Sequence, residues 1–190
     1  MKIGIIGTGN MATSLGAAWT RAGHDVLTRG RGSHHEAVQH GDLVLFAVPA
    51  PAAPALAAEL SDLLAGRTVL DCTNPIAPSS SGPMLTVPPG SSIAAQIATA
   101  APNASVVKAF NVVHSSIWTA DDLALTVPFC ASDAHAADQV SSLIASMGCT
   151  PASCGDLSRA PYLEATTALA IGIWFAGGSV RGIFPEPAQR

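Results

Sequence analysis

The chain has 190 residues, 48% of them apolar and only 12% charged, with a formal net charge of −4. That length supports one compact domain with a sizeable core and at most a helical extension. An acidic balance without a basic cluster excludes an electrostatic nucleic-acid surface and leaves a small organic ligand as the expected partner.

Residues 2–6 form a short apolar run closed by glycines, the pattern of a buried strand. The run is too short and too glycine-broken for a secretory signal. Residues 10–22 follow as a helix with Met11, Leu15, Ala18, Trp19 and Ala22 on one face and Gly23 as its stop. A second strand covers 25–28, a short helix 33–40 and a buried strand 43–48. Pro51 and Pro54 open a further helix, where a missing N–H costs little. Strand 68–72 and a Pro/Ser/Gly loop over 76–92 come next. Then come helix 93–100, strands 105–110 and 126–131, helix 133–147, an extended piece at 150–153 and a final helix over about 158–177. The uncharged stretch between Glu164 and Arg181 is too short for a membrane span. The four cysteines (Cys72, Cys130, Cys149, Cys154) have no C-x-x-C or zinc-ligand spacing, so they read as buried thiols of a cytoplasmic protein. Strands alternating with helices predict an α/β fold, a doubly wound and mostly parallel Rossmann-type sheet with its crevice at the carboxyl ends of the strands.

Gly7-Thr8-Gly9-Asn10-Met11-Ala12 stands between the first strand and the first helix as G-x-G-x-x-A. Gly7 would permit the tight turn, Gly9 the close approach of a pyrophosphate, and Ala12 close packing of helix on strand. The helix's free N–H groups then face the phosphates. At the end of the second strand, where a carboxylate would hold the ribose of NAD, stand Thr28, Arg29 and, beyond, Arg31. A guanidinium with a hydroxyl suits a 2′-phosphate, so NADP(H) is the expected cofactor.

Three strand ends should line the nicotinamide side: 47–50 with Val48 and Pro49, 71–75 with Thr73 and Asn74, and 108–111 with Asn111. The amides and hydroxyl of Thr73, Asn74 and Asn111 suit a carboxamide. His114 could donate a proton to a reduced carbonyl or imine, cap a helix, or bond a substrate oxygen. Asp71 reads as a turn holder and Cys72 as packing. His34, His35, Glu36 and His40 read as a solvated helix face rather than a metal site, and no nucleophile elbow occurs.

Residues 2–12, Asp71-Cys72-Thr73-Asn74-Pro75, Val106-Val107-Lys108-Ala109-Phe110-Asn111 and 155–164 together resemble the NADPH-dependent coenzyme F420 reductase family. The glycine loop is also shared with pyrroline-carboxylate reductases. The resemblance implies a Rossmann domain (1–155) with a C-terminal helix and tail (156–190), usually dimeric. It also implies hydride transfer between NADP(H) and coenzyme F420, a deazaflavin, with positioning doing most of the work. By carry-over, Thr8, Asn10, Met11, Thr28, Arg29, Val48, Pro49 and Asn111 would touch the cofactor.

The segment from Arg29 to Asp42 is too short for a helix, a strand and another helix. The third Rossmann strand and its preceding helix are therefore expected to be missing, with the second strand at the sheet edge. This departure keeps two other readings open, an NADPH-dependent imine or carbonyl reductase and a cofactor-free relative with a binding or non-redox rearrangement role. The final helix is apolar almost all round, with small residues at Ala168, Gly172 and Ala176, which points to a homodimer contact.

Overall fold

The computed structural model describes residues 1–120 and 123–180. The first half contains β1 (Lys2–Ile6), α1 (Asn10–Arg21), β2 (Asp25–Arg29), α2 (His34–His40) and β3 (Leu43–Phe46). A 3-10 turn (Ala50–Ala52) leads into α3 (Ala53–Glu59) and α4 (Ser61–Leu64), followed by β4 (Thr68–Asp71) and the small hairpin of β5 (Ile76–Ala77) and β6 (Met84–Leu85). Next come α5 (Ile93–Ala100), β7 (Ser105–Ala109), a 3-10 turn (Ser115–Thr119), β8 (Thr126–Ala131), α6 (Ala134–Ser146) and β9 (Thr150–Ser153). A last 3-10 turn (Leu157–Arg159) precedes α7 (Ala160–Phe175).

The main sheet has the order β2-β1-β3-β4-β7-β8-β9. Its first five strands are parallel, β8 runs antiparallel to β7, and β9 runs parallel to β8. The fold is thus the expected doubly wound, mostly parallel α/β sheet. β2 forms its edge because only the seven-residue α2 joins β2 to β3. The chain leaves β1 in one direction and β3 joins on the other side, so the topological switch point lies between β1 and β3, above the glycine loop. Strand β8 runs antiparallel to β7; among the described residues of the connection there is a 3-10 turn and no crossover helix to carry the chain to the sheet's other end.

Two apolar cores cover the two faces. On one, Ile3, Ile5, Leu45 and Leu70 of the strands meet Leu15 and Trp19 of α1 and Val140, Leu143 and Ile144 of α6. On the other, Val44, Phe46, Val69 and Val106 meet Val38 of α2, Leu56 of α3, Ile97 of α5 and Leu163 of α7. Side-chain caps fix the starts of α5 and α6: Ser92 Oγ accepts from Ala95 N (3.1 Å) and Asp133 Oδ1 from Ala136 N (2.9 Å). Three local expectations need correction. Residues 76–92 carry a hairpin as well as loop, the helix opened by Pro51 is broken into a 3-10 turn and two short helices, and the last helix starts at Ala160 after a separate turn.

Helix α7 lies over the second core with its first half buried (Ala160, Leu163, Glu164, Thr167, Ala168). Its second half emerges, leaving Leu169, Trp174 and Phe175 at 57%, 59% and 73% exposure.

Candidate functional site

The glycine loop starts where β1 ends. Gly7 sits at φ +119°, and a Cβ there would collide with the Ala47 carbonyl at the end of β3. Its N–H donates to the Arg29 carbonyl (2.9 Å), so the loop is tied to the end of β2. Gly9 occupies the cap position of α1 with no side-chain cap, and a Cβ placed on it would meet nothing within 4 Å. The open space and the uncapped amino end form one cradle, the shape an anionic pyrophosphate needs. Ala12 is fully buried, so α1 packs tightly on β1. Thr8, Asn10 and Met11 flank the cradle, with Thr8 and Asn10 exposed. From Thr8 a groove of about 400 Å³ runs between α1 and β2, past Thr13 and Gly16 to Val26 and Thr28. It opens on the flank of α1 at the edge strand, the side where a third strand and its helix would add cover.

Thr28 and Arg29 end β2, both half-buried, while Arg31 is exposed in the following turn. Arg29 is not a bare cation. Its Nε donates to Glu36 Oε2 at 2.5 Å and its Nη1 to the Thr28 carbonyl at 3.0 Å. The hydrogen bond from Arg29 holds the Glu36 carboxyl below the usual range. The expectation of a solvated face on α2 therefore needs amendment. Glu36 engages β2 through Arg29, and His40 does so through Asp25 (3.3 Å to Oδ1).

On the opposite side of the switch point, Val48 and Pro49 follow β3, half-buried and exposed respectively. Asn74 and Asn111 clasp each other: Asn111 Nδ2 donates to Asn74 Oδ1 and Asn74 Nδ2 to the Asn111 carbonyl, each at 2.9 Å. Asn111 Nδ2 also reaches the Leu163 carbonyl (3.1 Å) and Thr167 Oγ1 (3.3 Å) on α7. These amides join the ends of β4 and β7 to the last helix. Among the described residues, Asn111 Oδ1 and Thr73 Oγ1 are buried and find no partner. His114 is exposed; its Nδ1 lies 2.9 Å from Ser116 Oγ and accepts from Ser116 N at 3.3 Å, capping the 3-10 turn. Its ring centroid lies 6.1 Å from that of Trp174.

Beneath this clasp lies a charge cluster that the sequence reading did not assemble. Lys108 Nζ, fully buried, donates to Asp71 Oδ2 (2.9 Å), Glu164 Oε1 (2.8 Å) and the Thr73 carbonyl (2.5 Å). Asp71 Oδ1 accepts from Thr73 N (2.8 Å), so Asp71 does hold the turn after β4. Glu164 Oε1 also accepts from Ile93 N (3.0 Å), whereas its Oε2 is buried and has no partner among the described residues. Burial alone would lower the Lys108 pKa, but Asp71 and Glu164 outweigh it and hold the ammonium above its ordinary value. Burial pushes the Glu164 carboxyl up against the pull of Lys108. One cation thus serves two carboxylates. The signal available in the sequence was a lone lysine inside Val106-Val107-Lys108-Ala109-Phe110 and a lone glutamate inside an apolar helix, each requiring a buried partner.

Residues 2–35 and 29–75 match the family described as NADP oxidoreductase, coenzyme F420-dependent. A crystal structure of a candidate F420-dependent NADP reductase from Arthrobacter sp. FB24 superposes with a TM-score of 0.82 at 25% identity, covering 94% of this chain and 96% of that one. Pyrroline carboxylate reductase from Plasmodium falciparum, solved with NADP bound, shares the fold with a TM-score of 0.65 at 11% identity, over 93% of this chain and 65% of that one. Metalloreductase STEAP3 of Rattus norvegicus is 28% identical over 91% of this chain, and the chain spans about two fifths of that protein, 38%. Among the described residues no helix is long and apolar enough to cross a membrane.

Proposed function

We propose that this chain, whose residues 2–35 and 29–75 match the coenzyme F420-dependent NADP oxidoreductase family, is an NADP-dependent oxidoreductase that passes hydride between NADP(H) and coenzyme F420. The observation that carries the reading is the cradle at Gly9, an uncapped helix end under open space, in a loop tied through the Gly7 N–H to the Arg29 carbonyl at the end of β2. Gly7, Thr8, Gly9, Asn10, Met11 and Ala12 would hold the pyrophosphate, and Thr28, Arg29 and Arg31 the 2′-phosphate. Val48, Pro49, Thr73, Asn74 and Asn111 would frame the nicotinamide. Bound there, NADPH would supply a hydride and oxidised F420 would accept it together with a proton from solvent.

The chain's own contribution is placement. The Asn74–Asn111 clasp and the Lys108 cluster fix the ends of β4 and β7 under α7, so the nicotinamide wall is rigid before cofactor arrives. Asn111 Nδ2 spends its hydrogens inside that wall, which leaves Oδ1 as the group able to meet a carboxamide N–H. An imine or carbonyl acceptor is the second reading, supported by His114 at the crevice rim beside Trp174; there the ring would supply the proton that hydride transfer to such a carbon requires.

In this reading residues 1–155 bind the cofactor, and 156–190 supply a helix that closes the acceptor side. The stretch from 181 onward lies outside the described residues. The exposed Leu169, Trp174 and Phe175 of α7 support a homodimer through that helix. Four free thiols, Cys72 with its pKa pushed up to about 12 by burial, support a reducing, cytoplasmic setting.

Calorimetric titration with NADPH and NADH tests the assignment. NADPH should bind at least tenfold more tightly, and Arg29→Ala should weaken NADPH about tenfold or more while changing NADH little. Mixing the NADPH complex with oxidised F420 should then bleach the deazaflavin absorbance. Binding of neither nucleotide would remove the redox reading and favour a cofactor-free role; NADPH binding without deazaflavin turnover would favour the imine or carbonyl acceptor.

A further inference from the structure

The connection from β2 to β3 does more than shorten the sheet. With no third strand to feed, the chain enters α2 after four intervening residues, and the first turn of that helix carries Glu36. The helix cannot drift. Ala37 and Val38 are fully buried in the second core, and the Ala37 carbonyl packs so closely on Gly4 of β1 that any Cβ at Gly4 would collide with it. The carboxylate is therefore delivered by a rigid element to Nε of Arg29, while both side chains keep about 40% of their surface open, 37% and 43%. Nη1 is turned toward the Thr28 carbonyl, and among the described residues Nη2 makes no hydrogen bond.

We propose that Glu36 is a specificity-determining residue that competes with the 2′-phosphate for Arg29 and so narrows the preference of this chain for NADP(H) over NAD(H). The inference rests on the NADP(H) reading above. A dianionic phosphate arriving at the open guanidinium edge meets a cation already matched by one carboxylate, and it must lie within a few ångströms of that like charge. One donor of the guanidinium, Nε, is already taken by Glu36, so a phosphate cannot use it without displacing that carboxylate. Like-charge repulsion at roughly 6 Å in a water-exposed setting is worth about three- to tenfold in affinity for a group bearing up to two charges. An adenosine lacking the 2′-phosphate carries no charge to that point and escapes the effect.

Glu36→Gln tests this cleanly, because the amide oxygen still accepts from Arg29 Nε while the charge is gone. Calorimetric titration of the full chain should show NADPH binding three- to tenfold more tightly than to the parent, with NADH unchanged. Adenosine 2′,5′-bisphosphate should gain by the same factor and 5′-AMP by none. Raising the salt from 0.05 to 0.5 M, values chosen to shorten the screening length from about 14 Å to about 4 Å, should shrink the difference. Glu36→Ala, which also drops the Nε acceptor, should give a smaller gain of the same sign. If the parent prefers NADPH but Glu36→Gln leaves it unchanged or weaker, the competition is refuted and Glu36 merely holds Arg29 in place, while the NADP(H) assignment stands. Equal gains for NADPH and NADH would refute it as well, since only a general structural effect moves both. A parent that binds neither nucleotide overturns both inferences together.

Discussion

Replacing Lys108 by Met removes the only cation from a buried group of three charges and leaves a side chain of similar length. Nζ makes three contacts of 2.9, 2.8 and 2.5 Å, so Asp71 Oδ2 and the Thr73 carbonyl lose their donor, while Glu164 Oε1 keeps only Ile93 N. Both carboxylates are fully buried and cannot turn to water. Breaking a buried pair by removing one partner costs about 3–5 kcal/mol. The expected loss is therefore about 3–5 kcal/mol, a large share of the stability of a domain this size. Urea unfolding at pH 7, followed by tryptophan fluorescence, measures it. The pH dependence carries a sign. Burial raises the Glu164 pKa, so acidification neutralises that stranded carboxyl early and the gap between parent and variant should narrow. A loss under about 1 kcal/mol at neutral pH, or a gap that widens in acid, would show that the cluster does not hold the sheet ends as described.

Gly9→Ala should leave thermal unfolding within about 0.5 kcal/mol of the parent, because the added methyl meets only open space. It should nevertheless weaken NADPH binding at least tenfold in calorimetry; undiminished binding would place the pyrophosphate elsewhere. Glu164→Gln keeps an acceptor for Lys108 and Ile93 and reduces the buried charge from two carboxylates to one. Since burial raises the Glu164 pKa in the folded state, the parent's advantage from this group is present below pH 4.5 and lost as pH rises through the raised value. The variant should therefore gain relative to the parent between pH 4 and pH 7 in chemical denaturation, and a flat difference would show that Glu164 titrates as an ordinary surface carboxyl.

The parts of the fold written locally were legible. Helices 93–100 and 133–147 lie where the sequence predicts them to within a residue, and the structure adds the caps at their starts, where the Ser92 and Asp133 side chains accept from backbone amides. The missing third strand could be read from chain length alone, and β2 is indeed the edge. The direction of β8 could not be read, because antiparallel and parallel strands share the same apolar pattern and differ only in where the preceding connection ends. The candidate site divides in the same way. Gly7, Gly9 and Ala12 have roles fixed by sterics within a dozen residues, and the structure gives each the space or closeness it requires. Glu36, by contrast, meets Arg29 only because α2 happens to follow β2 directly, and the Lys108 cluster joins positions 56 residues apart. Contacts of that separation depend on register, which no local pattern states.

Phe110 shows how the sheet converts burial into placement. It follows β7 with φ +65°, the left-handed region that a bulky residue enters only at a cost of about 1–3 kcal/mol. Its ring is fully buried and meets Trp19 and Trp118 edge-on, with centroids 5.7 and 5.4 Å away. Packing of that kind adds about 0.5–1.5 kcal/mol per aromatic pair to the gain from burying the ring itself, which is enough to offset the backbone conformation. The turn so held sends the next residue, Asn111, across to Asn74 and α7 instead of onward along the strand. One face of the sheet therefore supplies the energy, through three aromatic rings, that aims an amide on the other side of the chain. The wall of the crevice is set by hydrophobic packing nearly as much as by its own hydrogen bonds.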